Sequence, residues 1–402
     1  MEQLGLHIDA DGVVKLHGKP FYGFGVNMFP PFIRNLQEPE TKVFRRDFAL
    51  MEQYEIPFVR IPFSGWDCSL YRVYENDPER YFAAMDEVVT EAERHHVGII
   101  ASLMWMESAV ACYVKEKRCR IGDTNSKTMA FAKRYVADVV RRYAGRRGIW
   151  GWEIGNEYNL TADLCDPTIK DFLWPHISSM PHGKIDGFDF YTSRELHTFY
   201  AEISREIRKH DSYRMISSGN GDMRSKAWQL RAASDAKNEA HLWKNGTGID
   251  TVEQFDEMNA FFTPDPMDTV CFHLQHGTLN GNPPKYDLVL SRWGRTDVSA
   301  GEYFKEFARS AKKLHKGLFF GEFGDFMDME QDEQLEDAFV QVMIWIREAG
   351  IQLAASWQFC YRDNWIYIND EMPNDRMKLV HMREENLKYR QEGKQDLTDA
   401  WK

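Results

Sequence analysis

The sequence predicts an α/β fold, a (β/α)8 TIM barrel in a single domain with long insertions on one face. Three observations point to it. Short apolar runs alternate with longer segments whose apolar residues recur at about 3.6, the signature of βα units on a parallel sheet. Eight such runs occur along the chain, the number that closes a barrel. The longest connections all follow the C-terminal ends of runs. A chain of 402 residues, 43% of them hydrophobic, has material for one large core, and α/β barrels exceed the usual domain length.

In order, the first strand is expected over 22–27 (YGFGVN). The segment 8–21 before it, with Asp11-Gly12 at a turn, reads as a small hairpin closing the barrel bottom. Further strands are expected over 58–62, 98–104, 149–155, 214–218, 269–273, 317–322 and 353–358. Amphipathic helices are expected over 41–54, 78–96, 126–143, 190–210, 299–314 and 332–349. Asp77 before Pro78, and Ser126, have the chemistry of N-caps. The crossover 219–268 is too long for one helix and is expected to hold more than one, or a lid. Insertions are also expected at 158–189, 276–298 and 360–378. All of them follow strand C-terminal ends, the face on which barrel enzymes build their sites. There is no internal repeat and no low-complexity linker.

Composition excludes several function classes. The net charge is −12, and nucleic-acid binding rewards clustered Lys and Arg instead. No stretch approaches 18 uninterrupted apolar residues, so no membrane span is expected. The chain opens Met-Glu-Gln-Leu-Gly, without the basic and apolar regions of a secretory signal, and a cytoplasmic location is the expectation. Six cysteines form no CxxC pair, so free thiols are expected. No HExxH, GxGxxG or P-loop occurs, and Gly25-Val-Asn27 stands where metal-dependent barrels carry His-x-His. Neither a metal nor a cofactor is therefore expected. The expected partner is a neutral small molecule. Twelve Trp and 14% aromatic residues suit the flat apolar faces of sugar rings, although core packing accounts for most of them.

Two carboxylates carry the chemistry. Gly151-Trp-Glu-Ile-Gly-Asn-Glu157 ends the fourth strand, and Leu318-Phe-Phe-Gly-Glu322-Phe-Gly ends the seventh. Carboxyls at the ends of strands three apart face each other across a barrel mouth. Cleaving a glycosidic bond needs such a pair: one acid to protonate the leaving oxygen, and one carboxylate to attack the anomeric carbon. A separation of about 5–5.5 Å gives retention and about 6.5–9.5 Å gives inversion.

These residues resemble the signature of the retaining glycoside hydrolases with (β/α)8 barrels. Within them the chain is most similar to glycoside hydrolase family 5, the cellulase and mannanase family, over roughly residues 5–360. Gly18-Lys-Pro-Phe-Tyr-Gly-Phe-Gly-Val-Asn27 resembles the family's opening strand, Val59-Arg-Ile-Pro62 its second-strand motif, and Ser356-Trp357 its eighth-strand tryptophan. The resemblance implies Glu157 as general acid/base and Glu322 as nucleophile. It also implies Asn156 as the partner of the sugar 2-hydroxyl, Arg60 as the cation that aims Glu322, and Trp357 as the platform of the −1 sugar.

The sixth strand departs from the family pattern. Cys271-Phe-His273-Leu-Gln275-His276 keeps the expected His273 but has Gln275 where the family carries a Tyr; Gln275 or His276 is the candidate replacement. Trp105 and Trp293 are further substrate-binding candidates, with Glu107, Trp66, Trp174 and Trp365 behind them. Asp325 reads as a helix cap, and His95-His96 as a helix C-terminus. Trp152-Glu-Ile-Gly-Asn-Glu157 looks more like the mannan-active branch than the cellulase branch. Polymers do not enter cells, and long insertions wall off a cleft, so an exo-acting β-mannosidase on short oligosaccharides is expected. The alternatives are an endo-β-1,4-mannanase, an endoglucanase or β-glucosidase, and more remotely a non-catalytic carbohydrate-binding barrel.

Overall fold

The computed structural model describes residues 3–66, 68–163, 191–235, 250–274, 299–324, 332–359 and 373–402. Three short strands come first: β1 (Leu6–Ile8), β2 (Val14–Leu16) and β3 (Lys19–Pro20), in one antiparallel sheet. The eight strands that follow close a parallel barrel. They are β4 (Gly23–Asn27), β5 (Phe58–Pro62), β6 (Gly98–Ser102), β7 (Ile149–Glu153), β8 (Met215–Ser217), β9 (Thr269–Leu274), β10 (Gly317–Phe323) and β11 (Leu353–Ser356). All eight expected strands form. Those expected to reach 104, 155 and 358 stop two residues short, where the backbone leaves the sheet to build the barrel mouth.

The helices in chain order are α1 (Pro31–Gln37), α2 (Phe44–Gln53), α3 (Ser69–Asn76), α4 (Pro78–Arg94), α5 (Glu107–Val114), α6 (Lys127–Tyr143), α7 (Ser193–His210), α8 (Ala227–Asp235), α9 (Val252–Phe262), α10 (Ala300–Lys313), α11 (Asp332–Glu348) and α12 (Pro373–Gln391). Their starts follow the capping rules. Asp77 and Ser126 accept from the backbone N–H of Arg80 and Met129. Thr192 with Glu195, Thr251 with Gln254 and Ser299 with Glu302 form reciprocal capping boxes. The crossover 219–268 holds α8 and α9, as expected. Three helices, α1, α3 and α5, are too short to leave a clear period in the sequence. The eighth crossover needs a correction: 360–378 was expected to be an insertion, yet α12 begins at Pro373. Its buried stripe, Leu379, Met382, Asn386 and Tyr389, is narrow and has a polar residue at its centre, which masks the apolar period.

The barrel interior is graded from apolar to polar. At its base Phe58, Ile100, Met215, Cys271, Phe319, Leu353 and Ala355 form one buried cluster with Leu6, Val14, Leu16 and Phe21 of the N-terminal segment. Thus the small sheet does plug the bottom of the barrel. Side chains two residues further along a strand share its face, and there stand Arg60, Ser102, Ser217 and His273, all buried. The upper interior is therefore polar by construction. Among the described residues no helix is long and apolar enough to cross a membrane. Cys68 and Cys112 are reduced, with the Cys112 thiol 3.1 Å from the Cys68 sulfur.

Candidate active site

Arg60 is the hub of the polar layer. It projects from β5 with 1% exposure, and its guanidinium makes four side-chain hydrogen bonds. Nε donates to Glu153 Oε1 (2.7 Å), Nη1 to Glu322 Oε1 (2.5 Å) and Asn27 Oδ1 (3.0 Å), and Nη2 to Asn156 Oδ1 (2.8 Å). Burial works against the Arg60 charge, but Glu153 and Glu322 outweigh it, and its pKa is raised.

Glu322 is aimed by an irregularity in its strand. Phe320 pairs with Phe272 and Glu322 with His273 on β9, so Gly321 is an extra residue in the ladder. Such a bulge re-aims the side chain after it. Gly321 has no alternative here, because a Cβ would lie 2.5 Å from His273 Nε2 and 3.1 Å from Cys271 Sγ. Its carbonyl accepts from Asn27 Nδ2 (2.8 Å), which ties β10 back to β4. Burial pushes the Glu322 carboxyl up to about 7, with Arg60 pulling the other way and the Glu157 charge adding to the rise.

Glu157 lies four residues beyond β7, in the left-handed conformation at φ 56 and ψ 26. A non-glycine residue held there stores strain of the kind found at functional positions. The turn is fixed by backbone bonds on both sides: Asn156 N–H to the Trp105 carbonyl (3.1 Å) and Glu157 N–H to the Gly219 carbonyl (2.7 Å). Gly219 itself has φ +73, and a Cβ there would meet the Gly155 oxygen at 1.9 Å.

His273 joins the two carboxylates. Its Nδ1 is 3.1 Å from Glu157 Oε1 and 3.5 Å from Glu322 Oε1. Burial lowers its pKa to about 3, so the ring is neutral, and facing two carboxylate oxygens assigns its hydrogen to Nδ1. The three ligand-type atoms of Glu157, His273 and Glu322 all lie within 4.8 Å of one another. A divalent cation could bridge them, in competition with any substrate. Beyond Glu157 lies Asp222, whose carboxyl is raised to about 7 by burial and by the Glu157 charge.

The aromatic candidates separate. Trp357 is half-buried beside Trp105, ring centroids 6.3 Å apart and 20° from parallel. Trp105 is 1% exposed, with the Arg60 guanidinium 4.6 Å above its ring. It lies between that guanidinium and the Trp357 ring. Trp66 is exposed and packs on Phe29 and Trp105. Glu107 is buried against Arg118 at 2.9 Å, a structural ion pair and not a sugar contact. Gln275, His276, Trp293, Trp174, Trp365 and Asp325 lie outside the described residues. Glu153, Asn27 and Asp222 were missed as site residues. Inward parity along β4 and β7 was the available signal for the first two; Asp222 leaves none.

No family profile and no curated protein matches the sequence. Solved structures do match in fold. A glycoside hydrolase family 5 mannosidase from Rhizomucor miehei aligns over 98% of this chain and 100% of its own, at 15% identity and TM-score 0.58. A β-mannanase from the blue mussel Mytilus edulis aligns over 98% of each chain, at 13% identity and TM-score 0.57. An exo-β-1,4-mannosidase from Opitutaceae bacterium strain TAV5 aligns over 96% of this chain and 63% of its own, at 14% identity and TM-score 0.59. At such identities the likeness is one of fold, and the chain has the (β/α)8 barrel of the family 5 glycoside hydrolases.

Proposed function

We propose that the protein is a retaining β-glycosidase in which Glu157 is the general acid/base and Glu322 the nucleophile. One observation carries this reading: at the mouth of the barrel, oxygens of the two carboxyls lie within 4.8 Å of each other. That proximity is nearer the about 5–5.5 Å between carboxyls of a retaining site than the about 6.5–9.5 Å of an inverting one. Arg60 assigns the roles. Its charge sits 2.5 Å from Glu322 and favours the carboxylate form there, which gives Glu322 the nucleophile's role and leaves that of the acid/base to Glu157.

The steps follow. Glu157 gives its proton to the glycosidic oxygen while Glu322 attacks the anomeric carbon, forming a glycosyl ester and releasing the aglycone. Glu157, now a carboxylate, takes a proton from water, which attacks the same carbon and frees Glu322. Asn156 accepts from Arg60 through Oδ1, which leaves its amide N–H groups to donate to the sugar 2-hydroxyl. Neutral His273 donates from Nδ1 without adding a charge that would strip the Glu157 proton. Trp357 offers a ring face to the bound sugar.

The substrate we propose is a short β-mannoside cleaved from its end. The motif around Glu157, the names of the structural neighbours and the lengths of the segments after the strand ends support it. The test is a panel of 4-nitrophenyl β-mannoside, glucoside, galactoside and fucoside with β-1,4-linked manno- and gluco-oligosaccharides. The expected result is mannoside turnover, mannose as the first product from oligosaccharides, and loss of activity by about 10⁴-fold or more in Glu322→Ala. Mixed oligomers as first products would make the enzyme endo-acting. Turnover that survives in Glu322→Ala would end the reading.

A further inference from the structure

We propose that Glu153 is a positioning residue of this reaction: it clamps the Nε edge of Arg60 and thereby aims the guanidinium's other two nitrogens at Glu322 and Asn156. The inference rests on the function proposed above and adds a residue to its machinery.

Glu153 ends β7 with its side chain inside the barrel and 0% exposed. A carboxylate without contact to water costs several kcal/mol of desolvation unless it is paired. Its pairing falls mainly on Arg60: Oε1 accepts from Nε at 2.7 Å and lies 2.7 Å from Nη2. The neighbouring Ser102 hydroxyl, which donates to the Gly155 carbonyl (3.2 Å), also favours the Glu153 carboxylate. A group held only for stability would be better replaced by an apolar side chain in such a place. The surrounding backbone also makes room for it. A Cβ on Gly219 would stand 2.8 Å from its carboxyl carbon, and the Gly219 carbonyl is the acceptor that fixes the Glu157 turn. Glu153 is thus packed under both the cation that orients the nucleophile and the turn that carries the acid.

The geometry explains what the residue does. A guanidinium is planar, with its donors in a fixed fork. Anchoring the Nε side leaves Nη1 for Glu322 and Asn27, and Nη2 for Asn156, without freedom to rotate about the side-chain axis. Glu153 also divides the positive charge. With Glu153 neutral, all of it would act on Glu322, which would become a weaker base and a poorer nucleophile. The charged and titratable groups around this unit are Arg60 from β5, His273 and Cys271 from β9, Glu322 from β10 and Glu157 after β7. Cys271 is pushed up by burial and by the Glu153 charge, and His273 is neutral, while burial lifts the Glu322 carboxyl to about 7.

The experiment compares Glu153→Gln and Glu153→Ala with wild type on whichever member of the glycoside panel wild type turns over, with Glu322→Ala alongside. Glu153→Gln keeps the shape and an acceptor but removes the charge. It is expected to retain the wild-type melting temperature and KM, to lose about tenfold in kcat, and to move the acid limb of kcat/KM down by about one pH unit. Glu153→Ala removes the clamp and is expected to lose about 10²-fold in kcat with KM within about threefold, as misplacement of a reacting group does. If Glu153→Gln matches wild type in kcat and in pH profile, the proposal is wrong. Lower stability with unchanged kcat per folded molecule also overturns it, since a merely structural residue behaves that way. Should Glu153→Ala fail to fold, Glu153→Gln decides. Activity persisting in Glu322→Ala, or no turnover of any panel member by wild type, brings down the glycosidase reading itself and this inference with it.

Discussion

Arg60 shows how much of the site a single residue can organise, and how the sequence both reveals and hides it. Its position two residues before the end of a strand, with Glu322 and Asn156 at the ends of others, was legible because strand C-termini of a barrel converge on its mouth. The resemblance supplied its partner Glu322, at 2.5 Å in the structure. Glu153 escaped because the strand was expected to run to 155, which set it inside the run, whereas the strand ends at Glu153 itself. For Trp105 the end of a strand gave a height in the barrel but not the cation that covers its ring. The environment of Glu322 makes a pH prediction. Burial lifts its carboxyl from 4.5 to about 7, and attack requires the ionised form. Activity should therefore rise with pH through an acid limb lying clearly above 4.5. The sign for stability is opposite: the protonated carboxyl favours the fold below 4.5, and that contribution is lost as pH rises through about 7. A kcat/KM profile whose acid limb falls at or below the ordinary carboxylate range would contradict this picture of the site.

At the scale of elements, the site depends on two departures from regular structure, one at each carboxylate. The extra residue Gly321 in β10 turns Glu322 inward, and the turn after β7 holds Glu157 in a left-handed conformation. Sequence periodicity sees regular elements, so the strands were legible and these irregularities were not; only Gly321 beside Glu322 and Gly155 two residues before Glu157 hinted at them. Gly219 is the sharper test because it serves the acid side through its backbone alone. Gly219→Ala forces φ +73 on a residue with a Cβ and sets that atom 1.9 Å from the Gly155 oxygen. The variant should lose about 2 kcal/mol or more of stability and should also lose kcat, because the carbonyl that anchors Glu157 must move. A urea midpoint and a kcat equal to those of wild type would show that the turn tolerates the side chain and is not fixed as described.

Over the whole molecule, the barrel is closed below by the N-terminal sheet, and α12 packs on its first strand. The plug was legible from the turn signal at Asp11-Gly12. The docking of α12 was not, because its key is polar. Asn386, fully buried on α12, accepts from Phe24 N–H (2.9 Å) and Gln395 Nε2 (3.2 Å) and donates to the Phe24 (3.0 Å) and Glu55 (3.1 Å) carbonyls. Replacing it with Ala removes a partner from two buried groups of the first barrel strand, the Phe24 N–H and carbonyl, and from the Glu55 carbonyl. Asn386→Ala should lower stability by about 3 kcal/mol, at one unsatisfied group or more of about 1–3 kcal/mol each. Activity per folded molecule should stay at the wild-type level, since the residue is remote from the mouth. An unchanged unfolding midpoint would mean that α12 does not hold the first strand in this way.

The central claim is that Glu322 forms a bond to the sugar, and a slow substrate tests it most directly. A 2,4-dinitrophenyl 2-deoxy-2-fluoro-β-glycoside, with the sugar that the panel selects, should inactivate the enzyme in step with release of one dinitrophenolate. Mass spectrometry of the digested protein should then find the fluorosugar esterified to the peptide carrying Glu322. Label on Glu157 or another residue would reassign the nucleophile. Inactivation without any covalent label, or hydrolysis that inverts the anomeric centre, would contradict the mechanism altogether.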